Sequence, residues 1–467
     1  MKRSTFILVY LWSVVMGLAG CGLFSSNNLD VQIIPSAVAG KPPLIVRFEA
    51  LVSSKAKAPL SYQWHFGDGQ TDLGQPALHR YIASGVYKVN LVITDALGNI
   101  GHDEQVIKVV DFSRNSNTLS SGLGAVVSAD FNSDLIPDLA VANRIEGNIS
   151  VLLGQDDGRN VLSKTIGNGS NFSDLIGAYF DQDGLVDLAV TDLVNSVILV
   201  FASNGRGAFK SPTKIPIFLE NSLVASGPSK MATGDFNGDG LLDVVTINQS
   251  TDNISVLFGN GEGQLALAHV FAPHRVGDLS QVQAADIDHD GLDDVVLLNQ
   301  TSARTEVFLG RGDGTFVFHL EVAGGELPSD LVVADLDGDG AFDIAMSNRQ
   351  SQDISLWWGT THYRFDAPGR WQVDNRPDQL LVADVDGDGQ LDLIGLDRSD
   401  GTISVALAQN VRLNNPTRAF ERPFKFELGA TLDSLYATDL NGDGQTDFAL
   451  SEAAGNLDVL FNLTPKP

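Results

Sequence analysis

Apolar residues in this chain gather in short runs, not in the 3.6-residue rhythm of amphipathic helices. Leu331-Val332-Val333-Ala334, Asp294-Val295-Val296-Leu297 and Ile254-Ser255-Val256-Leu257-Phe258 are typical, and polar and glycine-rich stretches bound them. Runs of that length between turn residues predict strands. Over the C-terminal three quarters they keep a fixed order. A first run, an acidic loop and a second run are followed about ten residues later by a third, such as Ile149-Ser150-Val151-Leu152-Leu153 or Ile354-Ser355-Leu356-Trp357-Trp358. A glycine-rich turn then leads to a fourth segment carrying Phe209, Phe316, Phe365 or Phe426. Four short strands per unit of about fifty residues is the arithmetic of propeller blades.

The acidic loop is a nine-residue cassette, clearest as Asp335-Leu336-Asp337-Gly338-Asp339-Gly340-Ala341-Phe342-Asp343. Seven copies start at Asp130, Tyr179, Asp235, Asp286, Asp335, Asp384 and Asp439. Acid or amide side chains at positions 1, 3, 5 and 9 suit Ca²⁺, which takes six to eight oxygens at about 2.3–2.6 Å. Position 6 needs a positive φ, which glycine adopts cheaply, and position 7 would offer its carbonyl. A helical EF-hand would require a Glu at position 12 and amphipathic flanks; here both flanks read as strands. Five cassettes are intact: Asp235/Asn237/Asp239/Asp243, Asp286/Asp288/Asp290/Asp294, Asp335/Asp337/Asp339/Asp343, Asp384/Asp386/Asp388/Asp392 and Asp439/Asn441/Asp443/Asp447. Two are degraded. Asp130/Asn132/Asp134/Asp138 has Leu135 in place of glycine, and Asp181/Asp183/Asp187 follows Tyr179 where the first acid belongs.

These units resemble the FG-GAP/VCBS repeats of integrin-α-like β-propellers. The resemblance covers roughly residues 113–467 and implies a seven-bladed ring over 112–467, with Ca²⁺ as structural cofactor. The last unit stops after its third strand, Leu457-Asp458-Val459-Leu460-Phe461. The segment near Phe112–Leu119 is the candidate for the missing outer strand, which would remove an exposed edge.

Residues 29–111 read differently. Period-two alternation in Ile45-Val46-Arg47-Phe48-Glu49-Ala50 and Tyr87-Lys88-Val89-Asn90-Leu91-Val92-Ile93 predicts a β-sandwich. Tyr62-Gln63-Trp64-His65-Phe66-Gly67-Asp68-Gly69, His79-Arg80-Tyr81 and Gly85-Val86-Tyr87 resemble a PKD domain, an immunoglobulin-like module, with His65 where that family has Asp. Trp64 and Tyr81 are expected to pack, and Phe66-Gly67-Asp68-Gly69 to bend the chain. The fold class expected is therefore all-β, an N-terminal immunoglobulin-like (PKD) β-sandwich followed by a seven-bladed β-propeller.

Charge adds to this picture. The net charge is −28, and of 58 acids 24 stand at the cassette positions. Nucleic acid, which needs a basic footprint, is excluded as a partner. Residues 1–20 read as a targeting segment: Lys2-Arg3, an apolar stretch from Phe6 to Leu18, then Leu18-Ala19-Gly20-Cys21. This resembles the lipobox of bacterial lipoproteins, with lipid attached to Cys21, the one cysteine of the chain; residues 21–28 would be a tether. Gly22 after Cys21 implies, by the same resemblance, an outer-membrane or cell-surface location with the lipid anchor in the membrane.

If each cassette joins the first two strands of a blade, all seven lie on one face. The opposite face carries loops that begin with Asn143, Asp192, Asn248, Asn299, Asn348, Asp397 and Glu452. Asn143, Asn248, Asn299 and Asn348 are thus candidates to touch a ligand, or else they cap strand ends through Asx turns. Trp371, between blades, is a candidate stacking platform. No HExxH or GxSxG motif occurs, so no catalytic residue is assigned. The expected function is a lipid-anchored, calcium-stabilised envelope module for adhesion to glycan or protein. The alternatives are a carbohydrate-active enzyme with its site in the propeller mouth and an envelope scaffolding lipoprotein.

Overall fold

The structure, a computed structural model, describes residues 29–218, 225–360, 363–366, 368–373, 375–409 and 419–465. Cys21 lies outside the described residues. Every regular element among the described residues is a strand. They form two compact units, one containing Pro43–Val109 and the chain up to Val38, the other Ala39–Pro42, Val110–Ala408 and the chain from Phe420 on.

The first unit stacks two antiparallel sheets. Val31–Pro35, Leu44–Val52 and Ala77–Tyr81 make one, while Ile100–Val109, Gly85–Thr94, Ser61–His65 and Thr71–Asp72 lie side by side in the other. Alternation places Val46, Phe48, Trp64, Val89, Leu91 and Ile93 between the sheets, all fully buried. Polar tips of the aromatics find partners, Tyr81 Oη donating to the Phe66 carbonyl at 3.1 Å and Trp64 Nε1 to the Gly74 carbonyl at 2.9 Å. The bend at Phe66–Gly69 is present, but Phe66 itself is core, stacked on His79 at 4.1 Å. Gly67, at φ +87°, has no room for a side chain, since a Cβ would come within 2.7 Å of the Lys88 amide nitrogen.

The second unit is a succession of seven four-stranded antiparallel sheets. Their strands, in order, are Leu123–Ala129, Asp138–Asn143, Asn148–Gly154 and Asn160–Ile166; Phe172–Ala178, Asp187–Asp192, Val197–Phe201 and Thr213–Pro216; Pro228–Gly234, Asp243–Asn248, Asn253–Gly259 and Leu265–Phe271; Leu279–Ala285, Asp294–Asn299, Arg304–Gly310 and Phe316–Ala323. Then come Pro328–Ala334, Asp343–Asn348, Asp353–Trp357 and Gly369–Gln372; Gln379–Ala383, Asp392–Asp397, Thr402–Ala406 and Phe424–Glu427; and Leu432–Thr438, Asp447–Glu452 and Asn456–Asn462. The fourth strand of the last sheet is Phe112–Thr118, paired antiparallel from Thr118–Asn456 to Phe112–Asn462.

The second strand of every sheet begins at the ninth residue of a cassette, and all six of its residues are buried. Sandwiched between neighbouring sheets, each Val, Leu or Ile there contributes about 1.5–3 kcal/mol by leaving water. First strands of consecutive sheets lie side by side, and Leu123–Ala129 of the first also neighbours Leu432–Thr438 of the seventh. No backbone ladder joins them, and side chains bond across instead. Gln283 exchanges hydrogen bonds with the backbone of Leu331 and Val333, and Gln379 does the same with Leu435. Asp330 Oδ2 accepts from the Leu380 amide at 2.9 Å, and Ser451 Oγ donates to the Gly124 carbonyl at 2.8 Å.

Candidate metal centres

Each cassette is the loop between the first and second strands of its sheet, and its own amides curl it around the first carboxylate. In the fifth, Asp335 Oδ1 accepts from the amides of Gly338 and Asp339 at 2.8 and 3.1 Å, and Oδ2 from Gly340 at 2.9 Å. Asp337 then accepts from the Asp339 amide, and Asp339 from the Ala341 amide. Positions 4 and 6 both take the left-handed conformation, Gly338 at φ +73° and Gly340 at +89°. The curl brings one oxygen each of Asp335, Asp337 and Asp339 within 4.8 Å of one another; Asp286, Asp288 and Asp290 converge in the same way, as do Asp384, Asp386 and Asp392. An all-oxygen, acid-rich set of this size fits a hard divalent cation. Without one the acids repel, and burial together with the neighbouring Asp290 holds the Asp288 carboxyl above its usual range.

The sixth cassette corrects one expected ligand. Asp388, at position 5, is not among the convergent acids of its loop, although Asp290 and Asp339 at the same position are; Asp392, at position 9, takes its place. The cause is the position-3 acid. Asp386 is buried, whereas Asp337 is exposed, so its carboxylate is drawn in toward Asp392 at the base of the loop. Asp388 stays at the rim, where its Oδ1 accepts from the Gln390 amide at 3.0 Å and its own amide donates to Asp384 and Asp386.

Where position 3 is Asn, its amide serves the loop. Asn132, Asn237 and Asn441 donate through Nδ2 to Asp134, Asp239 and Asp443 at 2.8, 3.1 and 3.0 Å. The first cassette keeps the curl in spite of its sequence. Asp130 accepts from the amides of Ser133 and Leu135, although these residues sit at φ +64° and +69°, which costs a non-glycine residue energy. In the second, Tyr179 supplies no carboxylate, and Lys210 Nζ stands 3.7 Å from Asp181 Oδ2.

Position 9 has a role that spacing alone does not announce. In all seven cassettes one oxygen of this Asp accepts from the amide of position 2, and the other from an amide at or just beyond the end of the third strand. The fourteen distances lie between 2.7 and 3.2 Å. Asp138, Asp187, Asp243, Asp294, Asp343, Asp392 and Asp447 therefore pin the loop to the sheet, and Asp392 does so while also joining the convergent acids of its cassette. Burial pushes the carboxyls of Asp138, Asp187, Asp243, Asp294 and Asp447 up to about 6, against the pull of those amides. Burial with Asp386 alongside pushes Asp392 to about 8.

Comparison with known proteins matches this arrangement. The FG-GAP-like repeat model matches residues 179–246, 235–297, 286–346, 335–395 and 384–450, together more than half of the chain. The chain belongs to the FG-GAP-like repeat family. Residues 35–109 match the PKD domain model. Among solved structures, BBS1N in complex with ARL6DN is similar in crystals soaked with lead or with mercury. The TM-scores are 0.53 and 0.54 at 12% and 11% identity, each covering 75% of this chain and 96% of that one. At such identity the likeness is one of fold. Collagenase ColA of Clostridium perfringens is 30% identical over 110 residues, 22% of this chain, which spans 10% of that relative's length. PKD and FG-GAP-like repeats together suggest a β-propeller extracellular binding module.

The FG-GAP-like units also correct the expected ligand face. Asn143, Asn248, Asn299 and Asn348 are fully buried at the ends of the second strands. Asn143 Oδ1 accepts from the amides of Ile145 and Glu146 while Nδ2 reaches Ser120 and Ser121. Asn299 ties Ser302 to Arg275, Asn348 ties Gly325 to Asp353 and Ser355, and Asn248 donates to Asn253 and Ser255. They are caps, because a buried amide must be paired, and none presents itself to a ligand. Trp371 is likewise no free platform. It lies on the outer strand Gly369–Gln372 and packs edge-on against Phe420 at 6.1 Å.

Proposed function

We propose that this protein is a lipid-anchored, calcium-stabilised binding module of the bacterial cell envelope that engages glycan or protein ligands. Its seven sheets form one closed seven-bladed propeller, a reading supported by the strand Phe112–Thr118 completing the last sheet and by the first sheet lying beside the seventh. The observation that carries the calcium reading is the convergence of Asp335, Asp337 and Asp339 oxygens in a loop already curled by its own amides. These three would hold the ion, with Asp343 fixing the loop behind them. Calcium bound only by the folded ring adds directly to its stability. The anchor is Cys21, and the location is the outer membrane or cell surface.

Equilibrium dialysis of the purified chain against calcium is expected to find at least one ion for each of the five intact cassettes. The immobilised, calcium-loaded chain should retain envelope polysaccharide or protein and release it in EDTA. A chain that binds no calcium, or retention indifferent to EDTA, contradicts the proposal.

A further inference from the structure

The second FG-GAP-like cassette departs from the other six at its first residue, and the fold makes little use of the replacement. Elsewhere the first carboxylate caps the loop, as Asp235 does for Gly238, Asp239 and Gly240 at 2.8, 3.2 and 2.9 Å. Each such bond contributes about 0.5–1.5 kcal/mol net, and Tyr179 forgoes them. Burial does not offset the loss, because Tyr179 is 58% exposed. The cassette before it shows the same habit: Leu135, standing where other cassettes have glycine, is 91% exposed.

Tyr179 lines a groove of about 650 Å³ between the second and third cassettes, together with Gln182, Asp235, Asp293 and the glycine backbone of Gly177 and Gly234. Asp293 is held in place, its Oδ2 accepting from the Asp235 amide at 2.8 Å. An exposed aromatic face beside a planar amide and a fixed carboxylate combines an apolar platform with a few placed polar groups. We infer that this groove is a saccharide subsite, in which one face of a pyranose ring packs on Tyr179 while its hydroxyls bond Gln182 and Asp293. Asp181, Asp183, Asp235 and Asp293 crowd the site with negative charge, so the sugar is neutral, not a uronic or sialic acid. The inference rests on the proposed role as a binding module and names the ligand class and the place.

The test is isothermal titration calorimetry of the full chain in excess calcium against neutral hexasaccharides of glucose, xylose, mannose and N-acetylglucosamine. At least one is expected to bind. Tyr179→Ala should weaken it by roughly tenfold or more at an unchanged melting temperature, and Tyr179→Phe should bind nearly as the parent does. Absence of binding across the panel, or unchanged affinity in Tyr179→Ala, overturns the subsite. Binding that survives Tyr179→Ala would leave the module reading standing and remove only this site. A peptide captured through Tyr179 in place of sugar overturns it too.

Discussion

Arg114 Nη2 lies 2.5 Å from Asp458 Oδ2, joining residues at opposite ends of the second unit. The same nitrogen reaches Glu452 Oε1 at 2.8 Å, and Ser116 Oγ donates to the other oxygen of Asp458. Asp458 is fully buried, and burial pushes the Glu452 carboxyl upward. One guanidinium on the strand Phe112–Thr118 thus neutralises two acids on the strands it completes.

Removing that guanidinium strands both charges. Breaking a buried pair by deleting one partner costs about 3–5 kcal/mol, and Arg114, itself partly exposed, should fall at or below the lower end. Arg114→Ala is expected to lower the urea midpoint and to expose Phe112–Thr118 to limited proteolysis. An unchanged midpoint would mean that the backbone ladder alone holds this strand.

Cassette quality should set calcium affinity. Asp337 belongs to a convergent trio, whereas Asp181 sits in a loop without a first acid and already faces Lys210. Asp337→Ala is expected to lower the bound calcium count and the melting temperature in calcium, and Asp181→Ala to do less of both. Equal effects would show that ligand number is not what grades these loops.

Much of this was legible because the fold repeats. Seven in-phase cassettes located the start of each second strand, and apolar runs located most of the others. Burial of polar ends was not legible: Asn143 and Asn348 look like surface loop residues, and only the neighbouring sheets show that their amides are consumed. Nor was the exchange of Asp388 for Asp392 in the sixth trio, because it depends on how deeply Asp386 sits and not on spacing. Left-handed φ at position 4 was hidden as well, since Ser133, Gln182 and His289 stand there without a glycine to mark it. Spacing also does not reveal that Asp343 holds the amides of Leu336 and Gly359, because the second donor lies 16 residues further on.

Asp330 offers a pH-dependent test within the first-strand contacts. Its two oxygens accept from separate amides, Leu331 and Leu380, both at 2.9 Å. Burial raises its carboxyl above the usual value. The folded state therefore holds this proton more tightly than the unfolded chain, whose Asp titrates near about 3.9. Stability contributed by the neutral form is present below that value and is lost as pH rises through the folded value. Asp330→Asn must turn an NH₂ toward one of the two amides, which costs about 1–3 kcal/mol. Chemical unfolding is expected to show this deficit narrowing as pH rises above about 4. A deficit that widens with pH would contradict the assignment.

Anchoring has its own test. Cys21→Ser is expected to abolish labelling by a palmitate analogue and to release the protein from the membrane fraction. Continued labelling of that variant would refute the lipid anchor.

The central claim is that calcium holds the FG-GAP-like repeats together. A site saturated at a hundredfold excess over Kd contributes about 2.7 kcal/mol, and weaker extracellular sites contribute less. Several sites together, at about 2–4 °C per kcal/mol, amount to a shift on the order of 10 °C. Differential scanning calorimetry of the full chain with and without EDTA measures it directly. The account predicts that EDTA moves the transition of the repeats down by about that amount, that calcium restores it and magnesium restores it poorly, and that the PKD transition stays where it was. Transitions indifferent to EDTA would mean that the cassettes are turns that need no metal, contradicting the account.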